Sequence, residues 1–265
     1  MLKALIVVLV LYLILVGGGC VVQRRLIYFP ERIPMQAAEQ LAAQQGLEAW
    51  RNRDGEVIGW RERESAQELP RLLVMHGNAG HALHRRHYID LLGDAWEVLL
   101  LEYPGYGVRG GRPSEPALLE AASEAVEQLR SEDADTPVYL LGESLGSGVA
   151  CGVAGERPQQ IAGLILITPF NSLTEVAAGH FPFLPVRFIL RDRYDNVKSL
   201  QAYDGPVFVL LAGNDEVVPT RHGEALYNAY DGPKEKVLIE GAGHNTVLSA
   251  TTAAEWRRLI SFFQE

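Results

Sequence analysis

The sequence predicts an α/β fold, a mostly parallel β-sheet with helices on both faces. Three observations carry this. Short, wholly apolar runs such as Leu72-Leu73-Val74-Met75 recur along the chain, as expected of inner strands buried on both faces. Segments of helical composition alternate with them, which implies strand–helix repeats and a parallel sheet. Asp54-Gly55 stands between two strand-like runs and marks an opening hairpin. The chain has 265 residues, 48% of them hydrophobic, enough for one large core. Its net charge of −9 argues against nucleic acid, because binding there requires neutralising phosphates. Cys20 and Cys151 are the only cysteines, so neither a disulfide framework nor a CxxC metal signature exists.

Taken in order, residues 35–45 are rich in Ala, Gln and Glu and read as a helix ending at Gly46. Strands follow at 47–52 and 57–62, around Asp54-Gly55, and at 72–75. A helix is expected at 84–92, a strand at 97–101 and a helix at 115–129, the last opened by Ser114-Glu115-Pro116, a sound start signal. A strand at 138–141 runs into a helix from Leu145. Strands at 164–167, 207–211 and 236–239 and helices at 221–230 and 252–263 complete the pattern.

Residues 4–22 are apolar except for Tyr12 and the three glycines near their end. That length is close to the ~20 residues a helix needs to cross a bilayer. Residues 1–25 are therefore read first as a single-pass membrane anchor. A cleaved signal peptide and a lipoprotein signal ending at Cys20 are the alternatives. Lys3 and the amino terminus nearly balance Arg24 and Arg25, so charge does not set the side of the membrane. Leu26-Ile27-Tyr28-Phe29-Pro30 reads as an amphipathic linker along the membrane face. Residues 26–265 form the expected catalytic domain.

In parallel sheets, ligands sit beyond the carboxyl ends of the strands, so chemistry is sought in the loops there. After 138–141 comes Gly142-Glu143-Ser144-Leu145-Gly146, a G-x-S-x-G turn between strand and helix. Such a sharp turn pushes the serine hydroxyl outward, and the helix amino terminus brings free N–H groups near it. After 72–75 comes His76-Gly77-Asn78-Ala79-Gly80. After 207–211 comes Gly213-Asn214-Asp215-Glu216, whose Asp215 is the better-placed carboxylate to orient an imidazole; helix capping before Thr220 is the alternative reading. After 236–239 comes Gly241-Ala242-Gly243-His244-Asn245. Histidine suits proton transfer because its ordinary pKa lies near neutrality. The order Ser144, Asp215, His244 is that of the α/β-hydrolase fold. In that fold the loop at 76–80 supplies an oxyanion donor, here the backbone N–H of Asn78, to pair with that of Leu145.

With these motifs in place, the sequence resembles the single-pass membrane α/β hydrolases that include the palmitoyl-protein thioesterases and their bacterial relatives. The resemblance runs from about residue 26 to 265. It rests on Leu26-Pro30, His76-Gly80, Glu102-Tyr103-Pro104-Gly105-Tyr106-Gly107, Gly142-Gly146, Pro169-Phe170-Asn171-Ser172-Leu173, Phe181-Pro185, Arg191-Asp195, Asp215 and Gly241-Asn245. It implies a largely parallel eight-stranded sheet and the triad and oxyanion roles above. The eukaryotic members carry a cysteine-rich, palmitoylated amino terminus, whereas this chain has a plain apolar segment with one cysteine. An acyl or lipid ester is then expected as readily as a protein thioester.

The expected activity is ester or thioester hydrolysis through a Ser144 acyl-enzyme, with no metal or organic cofactor. A peptidase on the same triad and a non-catalytic lipid-binding protein are the rival readings. Residues 174–204 form an apolar insertion, expected either as a cap over the serine or as a helix packed on the body. His81, His84 and His87 read as solvated helix positions rather than a metal site, and Cys151 as a buried packing residue. The turn at 103–107 either borders the pocket or is a plain turn.

Overall fold

Apolar strands four to six residues long need a helical layer above and below them. The computed structural model, which describes residues 1–63 and 69–264, supplies both layers. The strands are β1 (Phe29–Pro30), β2 (Leu47–Arg51), β3 (Val57–Glu62), β4 (Arg71–Met75), β5 (Ala79–Gly80), β6 (Glu97–Leu101), β7 (Val138–Glu143), β8 (Gly163–Ile167), β9 (Val207–Ala212) and β10 (Lys234–Ile239). The helices are α1 (Leu2–Ile27), α2 (Met35–Gln44), α3 (His87–Leu92), α4 (Glu115–Glu132), α5 (Leu145–Glu156), α6 (Leu173–His180), α7 (Val186–Ile189), α8 (Asn196–Ser199), α9 (Thr220–Ala229), α10 (Val247–Ala250) and α11 (Ala253–Phe262).

Eight strands form the main sheet in the order β10-β9-β8-β7-β4-β6-β3-β2. The β2–β3 and β3–β6 pairs are antiparallel and the remainder parallel. This is the α/β-hydrolase architecture, with the hairpin at Asp54-Gly55 where the sequence places it; Gly55 takes φ +82°, a conformation that glycine adopts without steric cost. Side chains alternate across the sheet with period two. Leu73 and Met75 of β4 join α4, α5 and α9 in one core, including Cys151, which is buried there as expected. Leu72 and Val74 join α2, α3 and α11 in the other.

Three local expectations are corrected. Residues 26–30 are not a separate linker. The helix of α1 continues past residue 25 to Ile27, and Phe29-Pro30 pairs in parallel with Ala79-Gly80. The drive is local pairing: the Phe29 N–H donates to the Asn78 carbonyl at 2.9 Å, and Tyr28 is buried. The helix expected at 84–92 is split into a 3₁₀ turn at Ala82–Arg85 and α3. His81 is buried rather than solvated, because that turn is pressed onto β6 and β3.

Polar groups are buried directly beneath the 76–80 loop. Glu102, just after β6, is fully buried. It accepts the Ala82 N–H at 3.1 Å and the Trp60 indole N–H at 3.4 Å. Burial pushes its carboxyl up to about 7, against those two bonds and the charge of Arg109. Burial, and after it the charge of Arg85, pushes His76 down to about 3. With His76 neutral near pH 7, its 3.9 Å contact through Nε2 with Glu102 is not an ion pair. The His76 Nδ1–H donates to the Gly77 carbonyl at 2.7 Å, which leaves Nε2 unprotonated on the side of the Glu102 carboxyl.

A carboxyl whose folded pKa exceeds its unfolded value stabilises the fold fully below the unfolded value, and loses that contribution as pH rises through the folded one. At about 1.36 kcal/mol per pKa unit, a rise from 4.5 to about 7 amounts to roughly 3 kcal/mol. The urea-unfolding stability of the wild type should therefore fall relative to Glu102→Gln between pH 4.5 and about 7. Parallel pH profiles for the two proteins would remove Glu102 as the source.

Candidate active site

The site is built around the turn between β7 and α5. Ser144 has φ +51° and ψ −115°, a sparsely populated conformation that costs about 1–3 kcal/mol. The surrounding backbone enforces it. A Cβ on Gly142 would lie 2.5 Å from the Gly146 carbonyl oxygen, and one on Gly146 would lie 2.0 Å from that of Met75. Only glycine permits α5 to sit this close to β4 and β7. The Ser144 N–H is held by the Ile167 carbonyl at 2.9 Å. Leu145 is the first residue of α5, so its N–H has no intrahelical acceptor.

The structure brings the three polar side chains singled out in sequence into one chain of hydrogen bonds. Ser144 Oγ lies 2.9 Å from His244 Nε2, and His244 Nδ1 lies 2.7 Å from Asp215 Oδ2. The other carboxylate oxygen of Asp215 accepts the Val217 and Val218 N–H groups at 3.0 and 2.7 Å. Asp215 does not cap α9, whose N-cap is Pro219 with no side-chain cap bond. One oxygen organises the turn into α9, and this aims the other at the imidazole. Glu216 is exposed, consistent with Asp215 being the residue that faces inward.

Residues the sequence left unassigned hold this arrangement. Glu143 receives Arg85 through Nε at 2.7 Å and Nη2 at 3.2 Å, and the Tyr88 hydroxyl at 3.2 Å. The segment after the 76–80 loop is thereby tied to the serine turn. Tyr103 donates to the His76 carbonyl at 3.2 Å and Tyr106 to the Asn78 carbonyl at 2.8 Å. The Tyr-Pro-Gly-Tyr-Gly turn therefore braces the loop from behind and does not line the cavity. Aromatic residues flanking a glycine turn were the available signal. Asn78 also donates its side-chain amide to the Ile27 carbonyl at 2.9 Å, which links the loop to the end of α1.

A cavity of about 350 Å³ opens at Ser144, with Asn78 and Leu145 in its wall. Its lining is almost wholly apolar: Phe170, Val176, Ala177, Leu184 and Val218 are typical, and among the described residues no carboxylate, lysine or arginine contributes to it. Residues 174–204 are thus partly a cap: α6 and α7 form one side of the cavity, while Tyr194 and Leu200 pack into the body. Away from the cavity, Glu31, His81 and His84 place three potential ligand atoms within 4.8 Å of one another. Burial, with the neighbouring His84, pushes His81 down to about 4, so its ring is neutral at physiological pH.

Comparison with known proteins agrees with this architecture. Residues 67–191 match the family described as serine aminopeptidase, S33. An uncharacterized protein of Mycobacterium tuberculosis is 39% identical over 228 residues, covering 84% of this chain and 80% of its own. The lysophosphatidylserine lipase ABHD12 of Rattus norvegicus is 31% identical over 200 residues, 68% of this chain; the match spans 50% of that lipase's length. Among solved structures, a Pyrococcus furiosus esterase superposes with a TM-score of 0.67 at 15% identity, covering 90% of this chain and 97% of its own. A Paleococcus ferrophilus monoacylglycerol lipase does so with a TM-score of 0.55 at 19% identity, covering 74% and 95%. The chain is a hydrolase of the α/β-hydrolase superfamily and belongs to the same family as the mycobacterial protein.

Proposed function

We propose that the protein is a membrane-anchored serine hydrolase that cleaves an ester or thioester of an apolar acyl chain, with Ser144, His244 and Asp215 as its catalytic triad. The observation that carries this reading is the continuous hydrogen-bonded chain Asp215–His244–Ser144 ending at the mouth of an apolar cavity. His244 Nε2 takes the Ser144 proton as Oγ attacks the acyl carbonyl. Asp215 fixes the ring so that Nε2 is the basic nitrogen, and it stabilises the imidazolium that forms. The oxyanion is received by the backbone N–H groups of Asn78 and Leu145, each worth about 2.7–4 kcal/mol in the transition state. The imidazolium then protonates the leaving oxygen or sulfur, and water repeats the sequence to release the acid. No step calls for a metal or organic cofactor.

A thioester resembling those of the palmitoyl-protein thioesterase group differs from an ester only in the leaving atom, and the same machinery serves it. The lipases among the relatives favour a lipid ester. A peptidase reading is favoured by the match to the serine aminopeptidase family. Against it stands the lining of the cavity, which offers no carboxylate among the described residues to hold a peptide's ammonium group. The anchor is α1, a 26-residue helix long and apolar enough to cross a membrane.

A fluorophosphonate should label the wild type and not Ser144→Ala; equal labelling of both would exclude Ser144 as the nucleophile. Asp215→Asn should keep the fold and lower kcat by about 10⁴-fold, measured on an activated ester. Against paired substrates, nitrophenyl acyl esters should be turned over faster than aminoacyl amides. The reverse ranking would establish the peptidase reading.

A further inference from the structure

The wall of the cavity opposite the main sheet is not part of the hydrolase body. Gly19, Gln23, Leu26 and Ile27 of α1 line the same cavity as Ser144. Leu184 and Ile189 of the cap line it too, with Ile189 directly against α1. The apolar helix therefore completes the cavity as well as leading to it.

A set of polar contacts makes α1 and the cap one unit. Gln23 donates to the Ile189 carbonyl at 3.1 Å and accepts the Arg191 N–H at 2.7 Å. Arg24 forms a two-pronged pair with Asp192, at 2.9 and 3.0 Å. Asp192 is 1% exposed and also accepts the Tyr28 hydroxyl at 3.1 Å. Further toward the amino terminus, the Tyr12 hydroxyl donates to the Phe183 carbonyl at 3.1 Å. Between Tyr12 and Arg24 the helix rises about 18 Å at ~1.5 Å per residue. The cap thus lies alongside the carboxyl-terminal half of α1, not merely at its foot. It turns Phe183 and Phe188 outward, 87% and 86% exposed, and α1 residues such as Leu13 and Leu15 are exposed as well.

Large aromatic side chains exposed alongside a bilayer-crossing helix mark a membrane contact rather than a water-facing surface. We infer that the cap is embedded in the leaflet next to α1, and that a long-chain acyl ester already dissolved in the bilayer enters Ser144 laterally, its chain passing beside Gly19, in the stretch between the Tyr12–Phe183 and Gln23–Ile189 contacts that join α1 to the cap. This rests on the acyl-transfer reading above and adds the route and the physical state of the substrate. Lateral entry accounts for features that a water-facing mouth leaves unexplained: a helix that forms a cavity wall, a Gly17-Gly18-Gly19 stretch that leaves the helix surface open there, and a cap that exposes Phe181, Phe183 and Phe188 next to an arginine, Arg187, already paired with Glu175.

Two measurements on the full-length chain in phosphatidylcholine vesicles test it. The four native tryptophans are all buried, so Phe183→Trp or Phe188→Trp adds a distinguishable reporter. Lipids brominated along the acyl chain should quench either new tryptophan by at least half. They should leave a Leu238→Trp control on β10, at the far edge of the sheet, unquenched. A reporter at 183 or 188 quenched no more than this control, whether left in water or covered by a second copy of the chain, would overturn the embedding. This reading is independent of catalysis. In the second arm, Gly19→Leu puts a side chain into the membrane end of the cavity, at a position where a Cβ meets nothing within 4 Å. The ratio of p-nitrophenyl palmitate to p-nitrophenyl acetate turnover should fall at least tenfold. An unchanged ratio would overturn lateral entry. Turnover of neither ester by the wild type would instead remove the acyl-transfer reading on which the route depends.

Discussion

The close approach of α5 to β4 is the constraint on which the site depends. With Gly146 under the Met75 carbonyl, the helix begins immediately after the serine, and Ser144 is forced into a positive φ. This one contact exposes the hydroxyl, aims the amino terminus of α5 at the same point, and brings the Asn78 loop alongside. The strain is local and small, about 1–3 kcal/mol. It persists because β4 and β7 are paired along their whole length and cannot shift to relieve it.

The groups that hold this geometry are mostly neutral. Tyr103 and Tyr106 brace the 76–80 loop through its carbonyls, leaving its N–H groups for other use. His76, uncharged near neutrality, and Glu102, whose carboxyl burial pushes up to about 7, fill the space below. In a site expected to stabilise a transient oxyanion, a fixed buried charge behind the loop would compete with its donors. Neutral bracing avoids that. The charged pair Arg85–Glu143 lies instead at the rim, where each side chain keeps some contact with water.

Asp192 has the corresponding position on the side of α1. It is a buried acceptor that binds Arg24 and Tyr28, and Tyr28 in turn meets Tyr194 at 3.0 Å. Truncation before Gln23 would take away Gly19 from the cavity wall as well as most of the apolar helix. The amino-terminal helix and the hydrolase body are best regarded as one structural unit.

The eight strands, the hairpin at Asp54-Gly55 and the loops carrying Ser144, Asp215 and His244 were legible in the sequence, because each depends on local pattern. Apolar runs of strand length, glycines at turns and capping residues at helix starts act over a few neighbouring positions. The supports of the site were not legible. Arg85 to Glu143, Tyr106 to Asn78 and Arg24 to Asp192 are pairings across long separations, and nothing in local composition selects one partner over another. The same holds for residues 26–30, whose polarity suggested a membrane face but whose backbone pairs with β5. The sequence by itself determined where the serine, aspartate and histidine loops fall and in what order they follow the strands. Only the tertiary structure decided that the apolar helix closes the cavity, because that depends on how the folded cap meets α1, a contact between segments more than 160 residues apart.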